Sequence, residues 1–381
     1  MSEWRVVELG SVAELTVGFV GTMARHYEVA GIPFLRSQNV LPHRLDMTDV
    51  RFISQAFHRR IQKSKLRPGD VVTVRTGNAG ITTVVPDWLE DSNCADLVIT
   101  RPGPDLDARW LSYFMNSAAT HAIAAELVGA VQQHFNVGAA KRTRLALPPL
   151  VEQQGIAEVL GALDDKITAN NALAATADEW LRSRYVFAIR SGSVEVPLLD
   201  EFIVDFGEPF GGAHFVEPGI GRPLIRIRDL KTFESQVWTT ETRSREVVVR
   251  PGDIVVGMDA EFRATAWLGE DGLLNQRVCR FSHRSLGRAL VREAVKIPLT
   301  EVEAEKSATT VIHLNKSDIA RKSAILPDRE AIASFEADAE PVFAARVALA
   351  AENRALAATR DALLPQLMSG TLRVRGAEAA A

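Results

Sequence analysis

The sequence has little of several things that mark particular classes of protein. Only two cysteines, Cys94 and Cys279, occur among 381 residues, and neither belongs to a Cys-x-x-Cys pair. A disulfide framework and a zinc site are therefore not expected. No apolar run approaches the roughly 20 residues of a membrane helix, and the start, MSEWRVVELG, has neither the basic residues nor the apolar core of a secretion signal. These features predict a cytoplasmic protein without a membrane partner.

An excess of basic residues is also missing. The chain has 44 Lys and Arg against 48 Asp and Glu, which gives a formal net charge of −4. A general nucleic-acid binder is usually basic as a whole. Any surface for nucleic acid must therefore be a local face of the molecule.

Recognisable catalytic motifs are absent from the sequence as well. It contains no GxxxxGK[ST] phosphate loop, no Pro-Pro-aromatic loop of an adenine methyltransferase and no Asp with Glu-x-Lys nuclease pattern. The nearest glycine-rich run, FGEPFGG at 206–212, does not follow a βαβ pattern, and the eight histidines lack metal-ligand spacing. We therefore expect no catalytic site, no metal site and no cofactor bound by this chain.

The sequence does contain an internal repeat. Three pairs of segments recur in the same order: 31–40 with 221–230, 66–75 with 249–258, and 134–150 with 313–329. In the second pair, LRPGDVVTVR matches VRPGDIVVGM, and both are typical of a strand that follows a type II turn. Matches in register over halves of about 190 residues predict two copies of one β-rich module.

Each copy is followed by a long helical pattern. The first has apolar residues at alternating spacings of three and four: Ile156, Leu160, Leu163, Ile167, Ala174, Ala177 and Leu181, with Asn170 in the same seam. The second has an apolar residue every seven positions: Phe335, Val342, Leu349, Leu356 and Leu363. This spacing predicts two helices that pack on each other as a coiled coil. Two amphipathic helices packed on their own domains are the alternative.

Proline and glycine mark the expected ends of these helices. The pair at 148–149 is expected to start the first helix, and Gly192 and Gly370 are expected to stop the two. Pro341 lies inside the second pattern, where it predicts a kink or a separate short turn over 328–339 before the true start.

Three segments resemble the specificity subunit of bacterial type I restriction–modification enzymes. They are LPPLVEQQGIAEVLGALDDKITANNALAATADEWLRSRY (147–185), GDIVVGMDAEFRATAWLGEDGLLNQRVCRF (252–281) and AENRALAATRDALLPQLMSGTLRV (351–374). The order of segments follows the family over almost the whole length. One departure is that LPDREAIASFEAD in the second copy lacks the Glu-Gln pair of LPPLVEQQGIAEV, so the two helix starts are not fully equivalent.

The resemblance implies an α+β architecture of two pseudo-repeated, β-rich target-recognition domains joined by two long helices in an antiparallel coiled coil. The expected boundaries are a first recognition domain over 1–146, a first spacer helix over 147–192, a second recognition domain over 193–325, a second spacer helix over 326–370 and a tail over 371–381. The resemblance also implies that each domain recognises one half of a split target in double-stranded DNA.

The family's other components are implied partners. Two modification (methyltransferase) subunits would carry S-adenosylmethionine, and two restriction (translocase and nuclease) subunits would use ATP and Mg²⁺. This chain itself would be non-catalytic.

Candidate DNA-binding residues follow from base chemistry, because Arg pairs with guanine, and Asn or Gln with adenine, through two hydrogen bonds. The candidates are Arg36, Gln38, Asn39, Arg75, Thr76, Asn78, Gln132 and Gln133 in the first copy, and Arg226, Arg228, Asp259, Arg263, Gln276 and Arg277 in the second. Arg36 and Arg226 match across the copies, which favours structural or phosphate contacts. The loops at 75–80 and 258–263 diverge, as different half-sites would require.

Two other functions remain open from the residues alone. One is a scaffold in which a coiled coil carries two β-rich peptide-binding modules. The other is an enzyme whose site has no recognisable motif. The Arg- and Gln-bearing divergent loops favour the DNA-specificity function over both.

Overall fold

The computed structural model describes residues 4–119, 135–306 and 312–374, and the chain forms two compact units. The first unit consists of Met1–Lys166 with Leu356–Ala381, and the second of Ile167–Ala355. The long segments that follow the two β-rich copies are therefore each divided between the units. The predicted domain boundaries separate the β-rich copies from the helices, whereas the compact units combine parts of both. The boundaries therefore stay predictions.

The first unit contains thirteen strands among the described residues. They are β1 Arg5–Glu8, β2 Ala13–Val17, β3 Tyr27–Glu28, β4 Ile32–Leu35, β5 Val40–Leu41, β6 Arg44–Leu45, β7 Arg51–Ile53, β8 Lys65–Leu66, β9 Val71–Val74, β10 Thr82–Val84, β11 Ser92–Cys94, β12 Leu97–Pro102 and β13 Arg144–Leu147. Its helices are α1 Gln55–Arg60, α2 Ala108–Phe114 with a π-helical turn over Met115–Ala119, α3 Val137–Arg142 and the beginning of α4 Leu150–Arg190.

Two sheets form the body of this unit. One is antiparallel with the order β10-β9-β12-β2, and the other has the order β3-β7-β4-β11-β8 with β4 and β11 parallel. All of β9 is buried because its two faces enter different cores: Val71 packs with Trp110 and Leu160, whereas Val72 and Val74 pack with Leu97. This explains why the strand is continuously apolar rather than alternating.

The second unit contains eleven strands in its described part. They are β14 Ser193–Pro197, β15 Ile203–Phe206, β16 Phe215–Val216, β17 Arg222–Ile225, β18 Trp238–Thr239, β19 Val248–Val249, β20 Ile254–Gly257, β21 Thr265–Ala266, β22 Gly272–Leu274, β23 Val278–Ser282 and β24 Ser323–Pro327. Its helices are the end of α4, α5 Leu198–Glu201, α6 Arg288–Lys306, α7 Lys316–Ala320 and most of α8 Arg329–Met368.

The sheets of the second unit repeat the topology of the first. The orders are β21-β20-β23-β15 and β16-β18-β17-β22-β19, again with one parallel pair, β17 with β22. The pair β14 with β24 corresponds to β1 with β13. The predicted repeat is therefore confirmed at the level of strand order and direction.

The duplicated RPGD sequence forms the same turn in both units. Asp70 N donates to Arg67 O at 3.0 Å, and Asp253 N donates to Arg250 O at 2.9 Å. The intervening Gly69 and Gly252 have φ of 82° and 89°, which a type II turn requires at its third residue. The turn delivers the chain into β9 and β20, so its shared sequence belongs to the scaffold.

The two long helices run antiparallel and contribute to the core of each unit. In the first unit, Ile156 and Leu160 of α4 share a core with Leu367 and Met368 of α8. In the second, residues near the end of α4 share a core with residues near the start of α8: Leu181, Tyr185, Ala188, Phe335, Ala339 and Phe343. The predicted helix pairing is confirmed, and the alternative of packing on the domains also holds, since both occur together.

The ends of the helices follow the sequence, but the expected late start of the second helix is wrong. Gly192 and Gly370, with φ of 151° and 71°, lie just after the last helical residues. Pro341 does not delay the second helix, because α8 is helical from Arg329 to Met368. Pro341 is exposed, and so is Ala337, whose carbonyl loses its helical donor. Water can therefore solvate that carbonyl, and a small neighbour makes room for the ring.

His43 is a strained and half-buried histidine in the first unit. It occupies the β5–β6 turn with φ of 61°, its ring stacks on Tyr113 at 4.2 Å, and Nδ1 lies 3.3 Å from Ser112 Oγ. Burial lowers the pKa of His43 to about 4. Tyr113 in turn donates to Asp164 Oδ2 on α4 at 2.6 Å.

We predict that His43→Asn flattens the dependence of stability on pH. Between pH 6.5 and 4 the unfolded chain binds a proton at His43 more readily than the folded chain, so the free energy of unfolding falls as the pH falls, by about 3 kcal/mol for this group. Asn tolerates a positive φ but does not titrate. Urea unfolding at pH 7, 5.5 and 4 measures the difference, and equal slopes for both proteins would contradict the prediction.

Candidate DNA interface

The two divergent loops occupy equivalent places in the two units. Each follows the strand after the RPGD turn, at 75–80 and at 258–263. Phe135 N donates to Arg75 O at 3.0 Å in the first unit, and Leu314 N donates to Met258 O at 2.8 Å in the second. The two loops therefore start from the same backbone frame, and they differ in their side chains.

In the first unit the loop contributes the basic partner of an ion pair. The Arg75 guanidinium pairs with Asp96, and Thr76 Oγ1 donates to the same carboxylate at 3.3 Å. Beyond this pair, Gly77 has a φ of 78° and open space where a Cβ would lie, and Asn78 is exposed. The base of the loop is fixed and its tip faces solvent.

In the second unit the signs are reversed. The loop supplies the acid, Asp259, whose Oδ1 lies 2.7 Å from His313 Nδ1 and accepts from Arg277 Nη1 at 3.2 Å. Arg277 precedes β23 as Asp96 precedes β12, and it is 52% exposed. The equivalent corners of the two units thus present an acid beside the loop in one case and an arginine in the other.

One side chain anchors the second loop in the core. Phe262 is 2% exposed and packs with Met258, and its N–H donates to Glu303 Oε2 at 2.7 Å. The next residue, Arg263, is 76% exposed and lies 3.3 Å from Glu261. Gln276, on the neighbouring strand connection, is exposed as well. The loop therefore presents Arg263 from a fixed base.

The matching turns at 36–39 and 226–229 form the same hydrogen bonds. Asn39 Oδ1 accepts from Arg36 N at 3.0 Å, and Asp229 Oδ2 accepts from Arg226 N at 2.9 Å. Asn39 is 2% exposed and its amide also donates to Asp46 O at 2.9 Å. This placement supports the structural interpretation of the turn and leaves Asn39 without access to a base.

The remaining candidates of these turns are divided between internal pairs and solvent. Arg36 Nη2 and Gln38 Nε2 donate to Asp49 Oδ2 at 3.0 and 2.8 Å, and the bond from Arg36 is the main reason that the pKa of Asp49 lies below its usual value. Arg226 Nε lies 3.2 Å from Asp229, whereas Arg228 is exposed. Gln132 and Gln133 lie outside the described residues.

A basic and aromatic cluster in the first unit was not predicted. His26 stacks on Phe57 at 4.0 Å, and the Arg60 guanidinium lies 5.0 Å from the same ring centroid. Desolvation, with Arg25 and Arg60 nearby, lowers the pKa of His26. The sequence signal was the basic run FHRRIQKSK at 57–65. The run alone does not indicate which of its side chains are exposed, since His58 within it is buried.

The described residues contain no group of three or more His, Cys, Asp or Glu that could hold a metal ion. Both cysteines are buried, and burial raises the pKa of the Cys279 thiol to about 12. Within the same residues, no helix combines the length and apolarity needed to cross a membrane. The two corresponding loops present hydrogen-bonding and charged side chains, including Asn78 and Arg263.

Residues 1–177 match the family model described as the Type I restriction modification DNA specificity domain. The first 177 residues therefore form a domain of this specificity family. The resemblance stated from the sequence is thereby confirmed, and the scaffold alternative is not favoured. The matched residues include the 75–80 loop, which is therefore a candidate DNA contact.

A curated relative of this chain is the Type I restriction enzyme EcoBI specificity subunit of Escherichia coli. It is 34% identical over 111 residues, which are 29% of this chain and 23% of the relative. The match therefore spans less than a quarter of that relative's length.

A solved structure is similar to this chain over both of its units. The S subunit of the Type-I restriction-modification system from M. genitalium has a TM-score of 0.61 at 12% identity and covers 96% of this chain and 95% of its own. This shows a shared fold and confirms the predicted α+β architecture. The HsdS subunit from Thermoanaerobacter tengcongensis aligns over 97% of both chains at 17% identity, with a TM-score of 0.35 that is too low to bear on the fold.

We predict that the anchor and the tip of the 258–263 loop respond differently to mutation. Phe262→Ala should lower the free energy of unfolding by about 3–5 kcal/mol, because it empties a fully buried site. Arg263→Ala should change it by less than about 0.5 kcal/mol, since the side chain is exposed. Urea denaturation measures both, and a similar loss for the two variants would show that the loop is not divided in this way.

Proposed function

We propose that this chain is the DNA-specificity subunit of a type I restriction–modification complex, and that it contacts two separate halves of one double-stranded target without catalysing a reaction itself. The observation that carries the proposal is the pair of units with one topology and chemically different loops at the same place. Because the scaffold is duplicated, both units would present their loops to DNA in the same geometry. The divergent side chains let each unit select its own bases.

The exposed loop residues are the proposed base contacts. Asn78 in the first unit suits adenine, and Arg263 and Arg277 in the second suit guanine, because these side chains form paired hydrogen bonds in the major groove. Asp259 can accept from the cytosine amino group but already bonds Arg277 and lies close to His313. The reversed sign at the equivalent corners supports different base preferences for the two halves.

Phosphate contacts are proposed for the basic cluster around α1. Arg25, Arg59, Arg60 and Lys63 are exposed there, while the chain as a whole carries a net charge of −4. Phosphate contacts fix the position of a protein on DNA and carry no direct sequence information. Arg36 and Arg226 are less suited to this role because each already pairs with an acid of its own unit.

The partner subunits are proposed from the family and from one exposed surface of α4. Leu173, Trp180 and Phe187 are 57%, 39% and 64% exposed and follow one another at intervals of seven residues. Such a spacing places them along one face of a helix. We assign this apolar face to the modification subunit, which would bring S-adenosylmethionine. Restriction subunits would bring ATP and Mg²⁺ to the complex, and both reactions would proceed in the cytoplasm.

The central experiment is methylation mapping. Co-expression of this chain with its modification subunit should methylate a split motif, with two short defined parts around an unspecified gap. Asn78→Ala should relax one part only, and Arg263→Ala the other, because each lies in a different unit. Loss of one base contact reduces discrimination by about 1–3 kcal/mol, or roughly 5- to 150-fold.

Arg59→Ala serves as the matched control for this experiment. As a phosphate contact, it should weaken methylation at all sites without changing the motif. A continuous motif, or two loop variants that relax the same part, would contradict the proposal.

The apolar face of α4 provides a separate prediction. Trp180→Glu should reduce co-purification of the modification subunit by about tenfold, since a charge would be buried in the contact. Ala172→Glu adds the same charge to an exposed position of the helix outside this face, and it should leave co-purification unchanged. Equal recovery with both variants would remove the face from the proposed contact.

A further inference from the structure

Polar residues recur at intervals of seven on both long helices and face one another. On α4 they are Asp164, Asn171 and Asp178, and on α8 they are Arg360, Asn353 and Arg346. We name these six residues the polar ladder. Each step of seven residues forward along α4 meets a step of seven residues back along α8, as an antiparallel pair requires.

The rungs of the polar ladder are direct contacts within each unit. In the first unit, Arg360 Nη1 donates to Asp164 Oδ1 at 2.6 Å. In the second, Asn353 Nδ2 donates to Asn171 Oδ1 at 2.9 Å, and Arg346 Nε donates to Asp178 Oδ2 at 3.1 Å. Both charged rungs are therefore ion pairs with hydrogen-bond geometry.

The charged rungs are largely shielded from solvent. The side chains of Arg346 and Arg360 are 15% and 23% exposed, and those of Asp164 and Asp178 are 18% and 35% exposed. Burial opposes ionisation of Asp178, but Arg292 and Arg346 more than offset it, so its pKa lies below the usual value. At these positions an unmatched charge costs far more than at the surface.

The arginines of the ladder also occupy the seam of α8. Arg346, Asn353 and Arg360 alternate with the apolar heptad positions Leu349 and Leu356 at spacings of three and four. These are core positions of a coiled coil, where apolar residues give the most stability and polar residues specify the partner. Asn170, in the seam of α4, adds a donor to Asn353 Oδ1 at 2.9 Å.

The distribution of charge distinguishes correct from incorrect helix pairs. All acids of the ladder are on α4 and all arginines on α8. If two copies of α4 paired antiparallel about Asn171, Asp164 of one would face Asp178 of the other, twice. Two copies of α8 paired about Asn353 would place Arg346 against Arg360. The apolar residues of the seams, chiefly Ile, Leu and Ala, make no such distinction.

We propose that the polar ladder is the determinant by which α4 selects α8 and rejects a second α4. The surface formed by Asp164, Asn171 and Asp178 fits a helix that carries Arg, Asn and Arg at the same intervals, whether that helix belongs to the same chain or to another copy. This selection is independent of the proposed DNA-binding function. It keeps the two β-rich modules of one chain together and disfavours dimers between like halves.

The test uses two full-length variants. In each, all four charged positions of the polar ladder carry the same sign of charge. The arginine variant is Asp164→Arg with Asp178→Arg, and the aspartate variant is Arg346→Asp with Arg360→Asp. Alone, each should unfold at a lower temperature than the natural chain. Co-expressed with different tags, they should form a one-to-one complex of twice the monomer mass, in which each α4 pairs with the α8 of the other chain.

A neutral control separates charge selection from the loss of other contacts, since Asp164 also accepts from Tyr113 and Asp178 from Arg292. The variant Asp164→Asn with Asp178→Asn loses these ion pairs without acquiring arginines. Tag capture of the aspartate variant should be about tenfold higher with the arginine variant than with this neutral chain. Equal capture, or failure to recover the co-expressed pair, would overturn the proposal, because mutual rescue is what charge selection requires.

Discussion

The antiparallel pairing of α4 with α8 is the constraint on which the rest of the structure depends. Neither compact unit is a continuous piece of chain, since the first takes its last helical segment from residues after 355 and the second takes 167–190 from the end of α4. The core of the first unit includes Leu367 and Met368 beside Trp110 and Leu160. The two β-rich modules are thus completed by the helix pair, and the helices are not passive connections between finished domains.

This dependence explains why polar residues are retained in the helix seam. An apolar seam stabilises any antiparallel pair of similar helices, whereas a seam with Asn170 and three polar positions on α8 is satisfied in one register only. The two acids of the ladder also bind their own modules. Tyr113 donates a hydrogen bond to Asp164 in the first unit, and Arg292 donates one to Asp178 in the second. The same carboxylates therefore hold the helices in register and hold each module to its helix.

Much of the fold could be predicted because its signals are local. The RPGD turn depends on four residues, the seam on spacings of three and four, and the ends of the helices on Gly192 and Gly370. Pro341 misled because its effect depends on exposure, which the sequence does not give. The division of each helix between two units was also beyond prediction, since it depends on which segments meet at a distance of about 190 residues.

The candidate interface was predicted less completely for the same physical reason. Residue type indicated the loops, but the role of each residue depends on its partner. Asn39 is enclosed by its own turn, and Arg75 meets Asp96, which lies 21 residues away. The cluster of His26, Phe57 and Arg60 comes together only through packing. Side chains that are equivalent in the repeat can therefore differ in whether they are free to contact DNA. The reversal of charge between Arg75 with Asp96 and Asp259 with Arg277 is seen only once the strand connections are known.

The contribution of α8 to the first unit has a consequence for biosynthesis. Domains usually acquire their structure in the order in which the ribosome releases them. Here the N-terminal module lacks Leu363, Leu367 and Met368 until the last part of the chain has been translated. Its hydrophobic core must stay incomplete throughout synthesis of the entire second module. The first module to be made is thus the last to be closed.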